Sequence, residues 1–395
     1  MDEKTIRQTK ISIYFIFFLY GFSTTTISPL IPIIAEQIQV GFDRIGIALF
    51  IGSIATLLSN FIAGSLSDRF DIKKMILFSL ILLSAGFIMF GTYLNYAIFI
   101  LVLIILRTGF AFLDTTIHSF TSKLFTKEIS RVFLNLDISW YIGTVLGPLL
   151  ISIFLYFNIM PRYLFFIFVL LYIAFIVLFQ KIWPKKKILD NLPSFNRETG
   201  TPGVKRFSVL KDPAIIIGSL VLFFYCGAMM GFSAWMTTYL LSFGIKVMYG
   251  SAALSLFGIF SIVGMLITIR IISRVREITI LIWASLTATI CISLFCLIPN
   301  IYLKMVMMAI QAVFMACFYP LIISISARRS KENSGTIIGF NIAFAFGGSI
   351  VFQPIYGYIA EYLGKSYMAY FALGGSIIGL VFTIILFSII WNKHS

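Results

Sequence analysis

The sequence has 395 residues, of which 60% are hydrophobic and only 11% are charged. Soluble domains use about 45–50% apolar and about 25% charged residues, so this composition excludes a soluble globular protein and predicts an integral membrane protein. The net charge of +15 is compatible with nucleic-acid binding, but the positions of the basic residues argue against a nucleic-acid partner.

Twelve apolar segments are long enough to cross a bilayer as helices, which takes about 20 residues each. No strand-like alternation of polar and apolar residues appears, which favours a helical bundle over a β-barrel. The first segment has no small-residue cleavage site and is too long for a signal-peptide core, so we expect it to be retained. The predicted spans are 10–36, 44–66, 73–93, 96–122, 130–157, 163–183, 213–241, 249–269, 278–298, 301–327, 335–360 and 367–391.

The lysine and arginine residues lie mostly in alternate loops. If the N-terminus is cytoplasmic, 24 of the 30 fall at cytoplasmic ends and loops, as the positive-inside rule requires. We therefore expect a plasma-membrane protein with both termini in the cytoplasm, whose basic residues contact anionic membrane lipid and not nucleic acid. The exceptions are Arg44, Arg162, Lys246, Lys304 and Lys365, which fall outside, and Arg107, which lies within a span.

A polar segment divides the spans into two groups of six. Residues 184–212 contain the basic run Lys185–Lys187 and several Pro and Gly residues, with no apolar run long enough to span. This pattern predicts a cytoplasmic linker between an N-terminal six-helix bundle, residues 1–183, and a C-terminal one, residues 213–395. Two such halves are the layout of secondary transporters built from repeats, whose substrate site lies near the membrane midplane.

A short motif follows the second span on its cytoplasmic side. It runs from Gly64 through Asp68 and Arg69 to the basic pair that starts at Lys73. This spacing resembles the signature of the major facilitator superfamily, and the resemblance implies a gating role for these four residues. The physical basis of such a gate is a carboxylate that bonds the exposed N–H groups at the start of a neighbouring helix. The alternative is an interfacial cap with ordinary positive-inside charges.

Two details of the gate follow from the resemblance. Its partner in the family is the start of the eleventh helix, which here is Asn333–Gly335. Asp71 stands where the family usually has glycine, and we expect the turn to survive because Asp tolerates the left-handed conformation better than most residues.

The fourth span carries ionisable residues where they are rarely tolerated. Arg107 and Asp114 lie two helical turns apart on one face, and His118 follows Asp114 at the i+4 position. Such residues within membrane helices usually line a pathway or a proton relay. We therefore expect proton coupling at this stripe. The alternative is that Arg107 simply neutralises an aspartate and the cluster only fixes helix packing.

The residues around the stripe resemble one branch of the superfamily. Leu113–Phe120, followed by Leu134–Leu136 at the start of the fifth span, is similar to the fucose–galactose–glucose:proton symporters. The resemblance implies that Asp114 takes the place of the protonatable carboxylate of that branch and His118 the place of its Asn. The acidic residue that the branch has in helix one falls at Ser28, which cannot titrate.

The fifth span adds a second aspartate. Asp137 lies at a depth similar to that of Asp114, and Tyr141 shares its helical face. Two close carboxylates cannot both ionise cheaply, so one should hold a proton near neutral pH, as proton coupling requires. Further along this span, Gly143-x-x-x-Gly147 is a small-residue spacing that predicts close approach of another helix.

The second half of the chain has almost no charge within its spans but several polar and aromatic residues. By the resemblance, helices one, four, seven and ten line the cavity. We expect a neutral hydrogen-bonding and stacking surface, suited to a sugar or another uncharged solute. The alternative for each residue taken singly is helix packing or an interface aromatic. The predicted substrate-binding residues are Thr25, Tyr141, Trp235, Gln311 and Asn341.

These patterns together predict an all-α membrane protein of the major facilitator fold. We expect a monomeric secondary active transporter that moves a small, neutral, sugar-like solute with protons by alternating access. The main rival is a multidrug–proton antiporter, for which the 42 Phe and 14 Met residues would supply an adaptable apolar pocket. The sequence has no P-loop, metal-binding His pair or nucleophile motif, and its four cysteines lack metal-ligand spacing, so we expect neither an enzyme nor a cofactor.

Overall fold

The computed structural model describes residues 3–67, 70–92, 94–124, 129–182, 212–327, 329 and 334–391. All regular secondary structure in these residues is helical. The α-helices are α1 (Glu3–Thr24), α2 (Ile31–Gln37), α3 (Phe42–Ser67), α4 (Ile72–Gly91), α5 (Tyr96–Leu124), α6 (Ile129–Tyr156), α7 (Arg162–Ile182), α8 (Pro213–Tyr225), α9 (Gly231–Ala234), α10 (Met236–Leu241), α11 (Val247–Ile271), α12 (Glu277–Leu297), α13 (Ile301–Met315), α14 (Phe318–Ala327), α15 (Ser334–Tyr358) and α16 (Met368–Trp391).

Twelve helical segments of the described residues are long and apolar enough to cross a membrane. This confirms the predicted all-α class and the predicted number of spans. Large apolar side chains such as Phe61, Leu170 and Leu297 are mostly exposed on the protein surface. Surfaces of this kind are stable in hydrocarbon, where an exposed Leu or Phe avoids the unfavourable contact with water.

Among the described residues, three spans contain a break between helices and the eleventh ends in a π-helical segment, Ile359–Leu363, although the sequence patterns predict continuous helices. The first passes from α1 through a turn and a 3-10 segment, Ser28–Leu30, into α2. The seventh contains a π-helical segment, Cys226–Met230, and breaks at Trp235, whose φ of −99° and ψ of 5° are not helical. The tenth breaks between α13 and α14. Pro29 explains the first break, because proline donates no backbone hydrogen bond.

The chain forms two compact units. Unit 1 comprises Met1–Ile27, Glu36–Val40 and Ile51–Gly200, and unit 2 comprises Ser28–Ala35, Gly41–Phe50 and Thr201–Ser395. Two stretches from the first half of the sequence therefore pack within unit 2, and the long helix α3 belongs partly to each unit. The predicted linker, residues 184–212, lies outside the described residues except for Asp212, so the predicted domain boundaries stay predictions.

Glycine residues permit the closest helix contacts in each unit. A Cβ atom on Gly143 of α6 would collide with the backbone carbonyl oxygen of Phe18 in α1, and one on Gly147 would lie 2.5 Å from the carbonyl oxygen one turn further along α1. The predicted close approach of a helix to this spacing is thus confirmed. In unit 2, a Cβ atom on Gly348 of α15 would likewise collide with the backbone carbonyl oxygen of Phe223 in α8.

The gate motif is only partly described. Asp68 and Arg69 lie outside the described residues, and the gating role of these two residues, Gly64 and Lys73 stays a prediction. Asp71 has a φ of −64° and a ψ of 117°, which is extended and not left-handed, and its carboxylate accepts a 2.9 Å hydrogen bond from the backbone N–H of Lys73. The residue in the glycine position therefore acts as the N-cap of α4.

Candidate functional site

The predicted charged stripe lies on one face of α5, which runs without a break from Tyr96 to Leu124. Nδ1 of His118 lies 3.4 Å from the carboxylate Oδ1 of Asp114 and 3.0 Å from the Asp114 carbonyl oxygen. The side chains are only partly buried, with 35% of His118 and 31% of Asp114 exposed. This exposure leaves both groups accessible to a proton or to a ligand.

Residues from two other helices of unit 1 complete a charged cluster. Asp137 of α6 is close enough to His118 and Asp114 to interact with both electrostatically. Arg107 is similarly close to Tyr20 of α1, and Tyr20 is also close to Asp114. The described residues include no direct ion pair between Arg107 and either aspartate. The structure thus groups Asp114, His118 and Asp137, and it links Arg107 to this group through Tyr20. The coupling role of these four residues stays a prediction.

Tyr20 is a site residue that the sequence patterns did not single out. It is one of 18 tyrosines and belongs to no recognisable motif. Its place in the cluster depends on α1 packing against α6, and that packing depends on the glycines of both helices: a Cβ on Gly21 would collide with the Trp140 carbonyl oxygen. A contact between helices far apart in sequence has no signal in local periodicity.

Aromatic rings line the cluster and form what we call the aromatic wall: Tyr20, Phe110, Trp140 and Tyr141. The ring centroid of Tyr20 lies 5.2 Å from that of Phe110 and 6.3 Å from that of Trp140, and the Trp140 and Tyr141 rings meet edge to face at 5.1 Å. Such tilted and edge-to-face pairs are favourable arrangements. The buried indole N–H of Trp140 has no hydrogen-bond acceptor among the described residues, which leaves a donor for water or a ligand.

Polar side chains of α3 form hydrogen bonds to α5, the helix that carries the charged stripe. Ser59 Oγ donates a 3.1 Å hydrogen bond to Thr108 Oγ1, and Thr115 Oγ1 donates a 2.9 Å bond to Asn60 Oδ1. Hydrogen bonds in a low-dielectric interior are strong and directional. They therefore help to fix the rotation of α5, and with it the direction in which Asp114 points.

Two of the predicted substrate-binding residues, Thr25 and Tyr141, lie in unit 1. Both are half-buried. Thr25 follows the C-terminal end of α1, and its Oγ1 donates a 3.0 Å hydrogen bond to the carbonyl oxygen of Gly21. Tyr141 belongs to the aromatic wall. These positions leave part of each side chain open to a ligand.

The other three predicted substrate-binding residues lie in unit 2, and the structure buries them. Trp235 is 0% exposed, and its indole N–H donates a 3.0 Å hydrogen bond to Gln353 Oε1. The break in the seventh span at Trp235 directs this large side chain into the unit. Contact between Trp235 and a solute thus requires a different conformation, and its binding role stays a prediction.

Gln311 and Asn341 are also paired within unit 2. Gln311 Nε2 donates to Met229 Sδ at 3.0 Å, and Asn341 Oδ1 accepts a 2.6 Å hydrogen bond from Ser219 Oγ. Buried polar groups need such partners because an unpaired one loses its hydration without compensation. The structure therefore assigns them a packing contribution, while their predicted contact with a solute stays a prediction.

The described residues contain no group of three or more His, Cys, Asp or Glu side chains that could hold a metal ion. The cysteines are free and buried, as expected of small packing residues. They are Cys226, Cys291, Cys296 and Cys317.

The sequence model of the Major Facilitator Superfamily matches residues 13–340. No curated protein matches the chain significantly in sequence. Among solved structures, a point mutant of the nucleoside transporter NupG is similar with a TM-score of 0.79 at 16% identity, covering 97% of this chain and 99% of that one. The D-xylose–proton symporter has a TM-score of 0.76 at 12% identity, with 96% and 97% covered. The E. coli fucose:proton symporter FucP has a TM-score of 0.65 at 16% identity, with 96% and 98% covered.

Proposed function

Because this chain belongs to the major facilitator superfamily and is therefore a membrane transporter and not an enzyme, we propose that it moves a small neutral polar solute together with protons. In this proposal transport follows alternating access, in which the two halves rock around a central site. The FucP match agrees with the resemblance of the Asp114 segment to the fucose–galactose–glucose:proton symporter branch. At 16% identity this likeness shows the fold alone, so the proposed solute and proton coupling rest on the residues of the candidate site.

The observation that carries the coupling is the partly exposed Asp114–His118 pair, with Asp137 close to both and Arg107 linked to Asp114 through Tyr20. Two carboxylates and one guanidinium leave the cluster one negative charge in excess when the imidazole is neutral. A single proton bound at any of the three titratable groups brings the cluster to neutrality. Since net charge in a membrane interior is strongly disfavoured, proton binding and conformational change become linked.

The aromatic wall supports a solute that combines ring faces with hydroxyl groups. Aromatic side chains such as those of Tyr20 and Tyr141 offer flat apolar surfaces. The partly exposed carboxylate of Asp114 can accept a hydrogen bond from a hydroxyl group, and the imidazole of His118 can donate one. Sites for small molecules typically combine such apolar walls with a few placed polar groups.

The solutes named for the structural neighbours, a nucleoside, fucose and D-xylose, are neutral and rich in hydroxyl groups. This shared chemistry favours a sugar or nucleoside over the amphipathic compounds of the alternative, a multidrug–proton antiporter. An antiporter for amphipathic compounds would need an apolar pocket rich in Phe and Met, whereas the partly exposed groups of the cluster, Asp114 and His118, are polar. We propose further that the transporter is a monomer in the plasma membrane with both termini in the cytoplasm.

A ligand screen followed by flux measurement tests this function. The purified protein is screened by thermal shift against sugars, nucleosides, lipids and cationic drugs, and the stabilising compound is then assayed in proteoliposomes with and without a pH gradient. We expect a sugar or nucleoside to stabilise the protein and to accumulate only with an inward proton gradient. Stabilisation by cationic drugs alone, with proton-driven export, would contradict symport and support the antiporter.

A further inference from the structure

A carboxylate from the eleventh span caps the start of α3. Oε2 of Glu361, in the π-helical segment Ile359–Leu363, accepts a 2.7 Å hydrogen bond from the backbone N–H of Phe42. Phe42 is the first residue of α3, and the first N–H groups of a helix have no partner within it and carry its positive dipole end. A residue 319 positions away thus takes the role that an adjacent N-cap side chain usually has.

Two further contacts join the same elements, all within unit 2. Tyr362 Oη donates a 3.2 Å hydrogen bond to Asp43 Oδ2, and the Lys365 ammonium lies 5.0 Å from the centroid of the Phe42 ring. We call Phe42, Asp43, Glu361, Tyr362 and Lys365 the outer latch. The three contacts differ in kind, since one is a charge-assisted helix cap, one a hydroxyl–carboxylate bond and one a cation–π contact.

Next to these contacts, the backbones of α3 and α15 touch each other. A Cβ on Gly357 would lie 2.5 Å from the Phe42 carbonyl oxygen and 2.9 Å from Gly46 Cα, and a Cβ on Gly46 would lie 3.1 Å from Pro354 Cα. The ring of Trp235 meets that of Phe42 edge to face, with centroids 6.1 Å apart. Glycine residues at such a contact let two helix backbones approach closely.

The contacts of the latch are weak enough to break and re-form. Its hydrogen bonds are exposed, and exposed charge contacts are individually weak because solvent screens them. Since α3 is one unbroken helix from Phe42 to Ser67, any movement of the whole helix away from Glu361 breaks all three contacts. Under the proposed topology, the helix ends that carry the latch face the outside.

We propose that the outer latch holds this transporter closed on its external side and opens once in each transport cycle. The proposal rests on the proposed function, because a cycle of alternating access requires a reversible external closure. It assigns Glu361 as the principal latch residue and gives Trp235, which packs on Phe42, a place beneath the latch.

Hydrogen–deuterium exchange tests the contact without any substrate. Glu361→Gln keeps the shape of the side chain and removes its charge, while Glu36→Gln removes an exposed charge from the preceding helix α2 as the matched control. We expect amide exchange at the start of α3 to rise about fivefold in Glu361→Gln, the effect of losing one helix cap of ordinary strength, and not in Glu36→Gln. Unchanged exchange in Glu361→Gln would overturn the latch.

A second comparison uses the glycine contact. Gly357→Ala would press a methyl group against the α3 backbone, whereas Gly374→Ala adds a methyl group where nothing lies within 4 Å. We expect faster exchange at the start of α3 in Gly357→Ala alone. Equal exchange in the two variants would show that the backbone contact does not hold this end of α3, contrary to the proposal.

Cross-linking tests whether the latch must open. In an Asp43→Cys/Tyr362→Cys variant, a short cleavable thiol reagent should stop solute flux, and cleavage should restore it, while the single variants remain active. Full flux in the cross-linked protein would overturn the proposal. Because the exchange measurement needs no substrate, a protein with latch-dependent exchange but no proton-linked flux contradicts the proposed function and not the contact.

Discussion

His118 and Asp114 form a close imidazole–carboxylate pair within one turn of α5. Nδ1 of His118 lies 3.4 Å from the Asp114 carboxylate and 3.0 Å from the Asp114 carbonyl oxygen, so the spacing of the helix itself holds the imidazole in place. The imidazole gains a charge only when it is protonated, and the carboxylate then stabilises that charge directly. In the proposed function this geometry lets the pair bind the coupled proton without a large movement of either side chain.

The substitution Asp114→Asn should uncouple transport from protons. The amide keeps the size and polarity of the side chain but cannot titrate, so the proposed proton site loses its central group. We expect pH-gradient-driven accumulation in proteoliposomes to be abolished while solute exchange persists. Glu36→Gln, which alters an exposed carboxylate outside the cluster, should leave coupling intact. Full gradient-driven uptake by Asp114→Asn would exclude Asp114 as the coupling residue.

The substitution Tyr20→Phe should impair coupling without weakening the fold. The change keeps the ring that packs between Phe110 and Trp140 and removes only the hydroxyl beside Asp114 and Arg107. We expect gradient-driven uptake to fall about tenfold, comparable to the loss of a hydrogen bond to a charged group, with an unchanged melting temperature.

Tyr172 provides the matched control for Tyr20. Its hydroxyl is buried and bonded to Ser23 Oγ at 2.6 Å, so Tyr172→Phe should lower the melting temperature and leave the pH dependence of uptake unchanged. Equal effects of the two substitutions on uptake and stability would mean that Tyr20 serves packing alone.

The substitution Gly143→Ala should destabilise unit 1. The added methyl group would meet the backbone of α1, which cannot move aside as a flexible side chain would. Overpacking of this kind typically costs about 1–3 kcal/mol. We expect a lower thermal midpoint in detergent for Gly143→Ala, with Gly374→Ala unchanged because its methyl group would enter open space. A normal midpoint for Gly143→Ala would show that α1 and α6 can separate at no cost.

The substitution Trp235→Phe should lower stability chiefly by removing the indole donor from Gln353. A buried amide that loses such a partner costs about 1–3 kcal/mol, so the thermal midpoint should fall and a second change, Gln353→Leu, should recover part of it. If Trp235 also contacts a sugar, the double variant should still bind that sugar several-fold more weakly. Normal sugar affinity in the double variant would remove Trp235 from the binding site.

The charged stripe shows how far periodicity alone could reach. Arg107, Asp114 and His118 were predicted on one face because positions along a single helix follow from its 3.6-residue period. Asp137 was placed near them by depth, since the rise per residue converts sequence position into height in the membrane. Both inferences use local geometry, and in the structure Asp114, His118 and Asp137 lie close enough to interact, while Arg107 is linked to Asp114 through Tyr20.

Residues joined by packing between distant helices were beyond such reasoning. Tyr20 reaches the cluster only because glycines let α1 lie against α6, and Glu361 reaches Phe42 across 319 positions. In sequence, Trp235, Gln311 and Asn341 are compatible with a cavity, although residues of this kind taken singly are more often packing or interface residues. In the structure all three are buried within unit 2.

The sequence by itself determined that this is a twelve-span, all-helical membrane transporter with a charged stripe in its fourth span. These properties depend on hydropathy, helical period and short motifs, all of which are local. Only the tertiary structure decided where the spans break, which side chain joins the stripe from α1, and how α3 is capped from the eleventh span. Those features depend on the free energy of contacts between helices, which no single helix encodes.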